Sequence, residues 1–243
     1  MKIASYNISG GFFQEESSKD FFDKEKGKEI DNRLLQELIT IINEENLDII
    51  CFQEIITTKE VGYIQNIINN TELKYSEYFE LSPCHVVENT ECGIAILSKY
   101  PIEQSEKNLF TNPKLSKQTS SGNVYYTFDK GYLCCVINDV KVLTHHGFPY
   151  RRFNSTPEEN PNVFKEFDLA ITKLQPDIIT GDFNSENFMD LMEYTRNNYI
   201  KTINEVTTVD NRMFDNILLK NNKKFCSKII KSLSDHYMVI TEI

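Results

Sequence analysis

Asp182 and Asn184 stand two positions apart in DIITGDFN, residues 177 to 184, where an apolar run gives out. Other apolar runs finish in the same way. Asn7 follows KIASY, Glu54 follows DIICFQ and His146 follows KVLTH, while Asp215 opens DNILLK and Ser234-Asp235-His236 stands just ahead of YMVITEI. Singly these residues are ordinary, since Asn and Asp cap turns, Glu sits on surfaces and a lone His packs. Gathered together, four carboxylates, two carboxamides and two histidines are harder to dismiss, because converging carboxylates repel one another unless a cation joins them. Oxygen donors without a Cys and His cage favour magnesium, or manganese, over zinc. Such a metal polarises a phosphoryl oxygen and stabilises an oxyanion leaving group. A carboxylate that is not a ligand takes a proton from water, and an imidazolium stabilises charge on a non-bridging oxygen. The chemistry implied is hydrolysis of a phosphate ester.

Positioning falls to strand ends. Residues two apart in an extended segment project to the same side, so Asp182 and Asn184 should face together while Phe183 anchors in the opposite direction. Gly181 permits close backbone approach there. In α/β sheets, ligands usually bind at the carboxyl ends of strands.

Strand-like runs alternate with segments of helical period, which predicts an α/β domain. KIASYN is a strand, and Asp31 is placed to cap a helix whose Leu34, Leu35, Leu38, Ile41 and Ile42 share one face. A strand over 48–54, a weaker helix over 59–69 and strands over 75–81 and 93–98 follow. Asp129-Lys130-Gly131 predicts an antiparallel hairpin between strands at 123–128 and 131–138, which makes the sheet mixed. Asn160-Pro161 offers an N-cap and a first-turn proline for a helix with Val163, Phe164, Phe167, Ile171 and Leu174 on one face. FDNILLK, FCSKII and YMVITEI are further strands. LDIICFQE and PDIITGDFN echo one another, each after an amphipathic helix, and predict two similar halves that each supply one sheet. Gly10 to Lys28, with two Phe pairs among many charges, reads as a surface insertion or as an aromatic lid.

With 243 residues and no visible linker, a single domain spanning 1–243 is expected. The formal charge of −10 provides no broad field for nucleic acid, though a local basic groove is compatible with it. The opening MKIASYNISGG is too polar for a signal peptide, and no run of about 18 apolar residues exists to span a membrane. A cytoplasmic monomer is expected. The six cysteines form no CxxC; Cys51, Cys134 and Cys226 lie in apolar runs and should be reduced and buried.

In order along the chain, YN at 6–7, FQE at 52–54, GIAILSKYPI at 93–102, GDFN at 181–184, FDNILL at 214–219 and SDH at 234–236 resemble the endonuclease/exonuclease/phosphatase superfamily. The resemblance spans nearly the whole chain. It implies a four-layered α-β-β-α sandwich of two mixed sheets flanked by helices. It also implies Glu54 as principal metal ligand for magnesium, with Asn7 close by and Asp235 on the metal's other side or at a second site. Asp182 would orient or deprotonate the attacking water and Asn184 would hold it or a phosphoryl oxygen. His236, oriented by Asp215, would contact the scissile phosphate, and His146 would bind on the leaving or non-bridging side. His145 competes with His146, which is preferred for its place beside Gly147. Arg151 and Arg152 stand as added phosphate contacts or as a solvated loop pair. Exonuclease III-type enzymes carry a tyrosine where this chain has His145-His146-Gly147, and the histidine is closer to the deoxyribonuclease I and sphingomyelinase branches. The expected activity is a phosphodiesterase or nuclease, with a lipid or small-molecule phosphatase and a non-catalytic phospho-ligand module as alternatives. A nuclease should present a basic stripe, for which Arg151, Arg152, Lys223, Lys224 and Lys228 are candidates. A lipid or small-molecule enzyme should present an apolar rim, for which Phe12, Phe13, Phe21, Phe22 and Phe148 are candidates.

Overall fold

The computed structural model describes residues 1–11, 32–84, 87–119, 122–221 and 223–243. The expected Asp31 cap and most of the 10–28 insertion, including Phe12, Phe13, Phe21 and Phe22, lie outside them. The described strands form two six-stranded mixed sheets. The first has the order β13 (Cys226–Ile230), β14 (Met238–Glu242), β1 (Lys2–Asn7), β2 (Ile49–Ile56), β4 (Glu91–Ser98), β3 (Tyr75–Pro83). The second has the order β11 (Tyr199–Lys201), β12 (Asp215–Lys220), β10 (Ile178–Asp182), β9 (Val140–His146), β8 (Gly131–Ile137), β5 (Ile102–Leu109). A separate ribbon pairs β6 (Ser116–Gln118) with β7 (Val124–Tyr126).

Alternation along the strands builds the layers. Ile3, Ile49, Cys51, Ile94 and Val239 of the first sheet share one core with Leu133, Val142, Ile178 and Ile217 of the second. Neighbours of opposite parity, Ile50 and Phe52, pack under α1 (Asn32–Glu45) and α2 (Tyr63–Asn70). Leu143 and Ile179 pack under α3 (Pro161–Leu174), with α4 (Glu193–Asn198) beyond it. The result is the four-layered sandwich. No helix among the described residues is long and apolar enough to cross a membrane.

Several expectations are corrected. The two sheets are not supplied one by each half, because β13 and β14 return to the first sheet beside β1. The 59–69 helix breaks at Gly62 (φ 65°) into a 3-10 turn, Lys59–Val61, and α2. Asp129-Lys130-Gly131 does not close a hairpin: β7 pairs with β6, and β8 pairs with β5 and β9. The tight turn is Asn138-Asp139, both left-handed (φ 50° and 63°), between β8 and β9. Gly131 serves close approach instead, since a Cβ there would lie 2.3 Å from the Asn108 carbonyl oxygen. Asn160 does not cap α3 with its side chain, which donates to Ser155 and Thr156, although Pro161 does open the helix. Cys226 is exposed, because β13 is an outer strand; the other five cysteines are buried. Phe148, an expected rim residue, is fully buried in the core under α3.

Candidate active site

The parity that faces the space between the sheets reads Ile3-Ser5-Asn7 on β1, Ile49-Cys51-Gln53 on β2, Val142-Thr144-His146 on β9 and Ile178-Thr180-Asp182 on β10. Apolar residues at one end of each strand give way to polar ones at the other. β1 and β2 are parallel, as are β9 and β10, so all four polar ends collect at one edge of the sandwich. β12 runs antiparallel to β10 and therefore contributes its first residue, Asp215. Pairing sets Asp215, Asp182, His146 and Gly131 side by side across four strands. Gln53 donates from one sheet to Thr144 on the other at 3.0 Å, forming the floor beneath the polar edge.

Asp182 is the centre. Its Oδ1 accepts from the Asn184 backbone N–H at 2.8 Å, and its Oδ2 accepts from Asn7 Nδ2 at 3.0 Å and Asn184 Nδ2 at 3.1 Å. The Asn7 bond joins the two sheets. Asn184 faces Asp182 for a reason other than strand alternation: β10 ends at Asp182, and Asn184 turns left-handed (φ 50°) so that amide and backbone both return to the carboxylate. Phe183 is the anchor, stacked on Phe188 at 3.6 Å and edge-on to His145 at 4.3 Å. Burial lifts the Asp182 carboxyl up to about 7, against the pull of His236.

His236 donates through Nδ1 to Asp215 Oδ2 at 2.9 Å, with its Nε2 3.8 Å from Asp182 Oδ2. The loop carrying it is pinned by the Ser234 hydroxyl, which donates to the Asn7 carbonyl at 2.8 Å. Burial opposes charge on the ring, yet Asp215 and Asp182 together hold its pKa well above the ordinary value. His236 is therefore an imidazolium oriented by Asp215.

Glu54 reaches the cleft through a bulge. Simple alternation would send it after Ile50 and Phe52 towards the helices; the register shifts between Gln53 and Ile55, and Glu54 adopts φ 53°. Its Oε1 comes within 3.5 Å of His146 Nε2, and the same nitrogen is 3.6 Å from Asp182 Oδ2. Adjacent residues on β9 separate the two histidines. His146 faces this cluster; His145 faces the helix side, 4.4 Å from the Phe167 ring.

Lys130, which carried no mark in the sequence, is buried with its Nζ 3.0 Å from His146 Nδ1 and 3.3 Å from Nε2. An ammonium only donates, so the ring must accept and be neutral. Burial, reinforced by the Lys130 charge, accordingly keeps His146 well below its ordinary pKa. Burial also draws the Lys130 pKa down, with Glu54 and Asp182 opposing.

Arg152 lines the cleft with Glu54, Lys130, Asp182, Asn184 and His236. Arg151 does not; it pairs with Asp210 at 3.2 Å on the surface, because successive residues of the Tyr150–Phe153 turn point apart. Asp235 lies near enough to favour charge on His236, and its carboxylate accepts from the Ser234 hydroxyl at 3.4 Å. Lys223, Lys224 and Lys228 lie on or beside β13, and Lys228 pairs with Glu45 at 2.6 Å. Of the expected basic stripe, Arg152 alone lines the cleft.

The donor set fits a hard divalent cation. Asp182, Asp215 and His236 offer ligand atoms within 4.8 Å of one another, and the buried Asp215 Oδ1 has no hydrogen-bond partner. Within that group, His236 Nδ1 is committed to Asp215. Glu54 and the Asn7 amide oxygen, which so far accepts from the Ser9 N–H at 2.9 Å, are the oxygen donors beside them.

A family model for the Endonuclease/Exonuclease/phosphatase family matches residues 4–236. No curated protein matches the sequence. Among solved structures the fold is similar to an endonuclease/exonuclease/phosphatase family protein from Leptotrichia buccalis, at 14% identity and TM-score 0.62, covering 100% of this chain and 99% of that one. It is also similar to the human Nocturnin catalytic domain (12%, TM-score 0.66, 99% and 92% covered). A mannosyl-6-phosphatase from Bacteroides thetaiotaomicron is a further similar structure (14%, TM-score 0.58, 100% and 98% covered).

Proposed function

This chain belongs to the endonuclease/exonuclease/phosphatase family of phosphoester hydrolases, and from that premise we propose that it is a metal-dependent phosphodiesterase whose attacking water is activated by Asp182. The observation that carries the proposal is the Asp182 carboxylate. It is buried, oriented by two amides from opposite sheets, and lifted up to about 7, where a carboxylate is an effective base near neutral pH.

Glu54 is the residue best placed to hold magnesium or manganese, with Asn7 and the Asp182 side of the cleft adjacent. When bound, the ion supplies positive charge for the developing oxyanion. The chain's own groups do the rest. Asp182 takes a proton from water as the water oxygen bonds to phosphorus, and the bond from phosphorus to the ester oxygen breaks. The leaving oxygen takes a proton from solvent and departs as an alcohol. Asn184 keeps the Asp182 carboxylate in position, and the His236 imidazolium balances charge on a non-bridging oxygen. Lys130, steadied by neutral His146, adds a second fixed positive charge, and Arg152 a third at the cleft wall.

With magnesium or manganese, purified protein should hydrolyse members of a panel of phosphodiesters and monoesters and stop when chelator is added. Asp182→Ala should lower kcat/KM by about 1,000-fold. Wild-type protein inert toward the whole panel with both metals would overturn the proposal.

A further inference from the structure

The cleft has a wall that hydrolysis itself does not use. Besides its charged groups it is lined by the rings of Tyr126, Phe128 and Phe153. Tyr126 and Phe128 leave 63% and 42% of their surface exposed, and among the described residues neither ring stacks on another. Aromatic rings are normally spent on cores, so exposed ones that rim a polar cleft mark a binding surface. Tyr126 comes from β7, whose partner β6 packs against the Tyr150–Phe153 turn, so the ribbon and the turn make one continuous wall.

We propose that this wall is the base subsite of a mononucleotide-sized substrate, with the nucleobase lying on Tyr126 and Phe128 while its phosphoester is held by Lys130, Arg152 and His236. The phosphate end of this inference rests on the hydrolytic reading of the same cleft. Each nucleobase presents a π-face, and stacking on an aromatic side chain tolerates every base. A bare sugar phosphate fits less well. Its hydroxyls need polar partners, and among the described residues Asn184 is the only neutral amide lining the cleft, already donating to Asp182 and to the Gly147 carbonyl. A long polynucleotide fits less well again. Tight binding of a polymer neutralises several phosphates, whereas among the described residues only Lys130 and Arg152 of the lysines and arginines line the cleft, and the chain's formal charge is −10.

Calorimetry on the full chain with magnesium separates these ligands without turnover. A non-hydrolysable adenosine 5′-phosphonate should bind about 10-fold more tightly than the matching ribose 5-phosphonate. In the Tyr126→Ala/Phe128→Ala double variant, checked for an unchanged circular dichroism spectrum, that ratio should collapse towards one. Equal affinity for the two phosphonates in wild type, or a ratio preserved in the double variant, overturns the proposal. So does tighter binding to phosphatidylglycerol vesicles than to the nucleoside phosphonate, which would assign the wall to lipid. Because binding alone is read, a protein inert toward every phosphoester leaves this result standing. A hydrolase without base preference removes the subsite and leaves the hydrolytic reading intact.

Discussion

At Lys130 a buried ammonium lies against the His146 ring and shares its cleft with Glu54 and Asp182. Burying that charge is costly, and its carboxylate neighbours offset the cost only in part. Lys130→Met should therefore lower kcat/KM by about 100-fold, as removal of a fixed charge from an oxyanion site does. The melting temperature should not fall, which thermal denaturation would check; a large fall would make the lysine structural. His145 poses the opposite case. Burial among Phe110, Phe167 and Phe183 pushes its pKa down to about 3, and neither ring nitrogen has a hydrogen-bond partner. A depressed folded pKa contributes stability that is complete above the unfolded value near 6.5 and is lost as pH falls from there towards 3. His145→Phe should flatten the acid limb of stability by about 1 kcal/mol per pH unit below pH 6, whatever constant packing cost it brings. Denaturant melts at pH 7, 5.5 and 4.5 would show it. Of the site residues, Asp182, Asn184, Asp215, Glu54, Asn7, His146 and His236 were legible because each is a polar group closing or opening an apolar run. Lys130 was not, because a lysine beside Asp129 and Gly131 resembles any solvated turn.

The elements were legible where one face is buried and the other is not. α1 and α3 carry apolar stripes that match the cores they join. β5 escaped notice because it is the outer strand of its sheet and seven of its eight residues are exposed, so no alternation is written into IEQSEKNL. Two devices at element ends aim the site: the Glu54 bulge and the turn after β10. Gly147 makes the second possible, since a Cβ there would lie 2.6 Å from the Phe183 carbonyl oxygen. Gly147→Ala must push back the segment that carries Asp182 and Asn184. It should cost about 1–3 kcal/mol of stability and lower kcat/KM by about 10-fold or more, since small misplacements of reacting groups are expensive. Denaturant melts and steady-state rates on the same preparation test both numbers.

Across the molecule, two sheets press an apolar layer between them and leave a polar edge where strands of both meet. That layer holds Cys51 and Cys135, while Cys134, Cys84 and Cys92 lie in the cores under the helices. Burial lifts Cys51 and Cys134 to about 12, and Cys226 alone is exposed. A thiol reagent should label one cysteine in the native chain, at position 226, and six after denaturation, as mass spectrometry would count. The sequence by itself determined the α/β class, the four-layered sandwich through its family motifs, and the identity of most polar groups at the strand ends, because period and residue type are local properties. Tertiary structure alone decided that Lys130 packs against His146, that Arg152 and not Arg151 joins the cleft, and that Tyr126 and Phe128 rim it. Charge state and proximity depend on which strands register against one another and how much water is excluded between them, and neither is a property of any single stretch of chain.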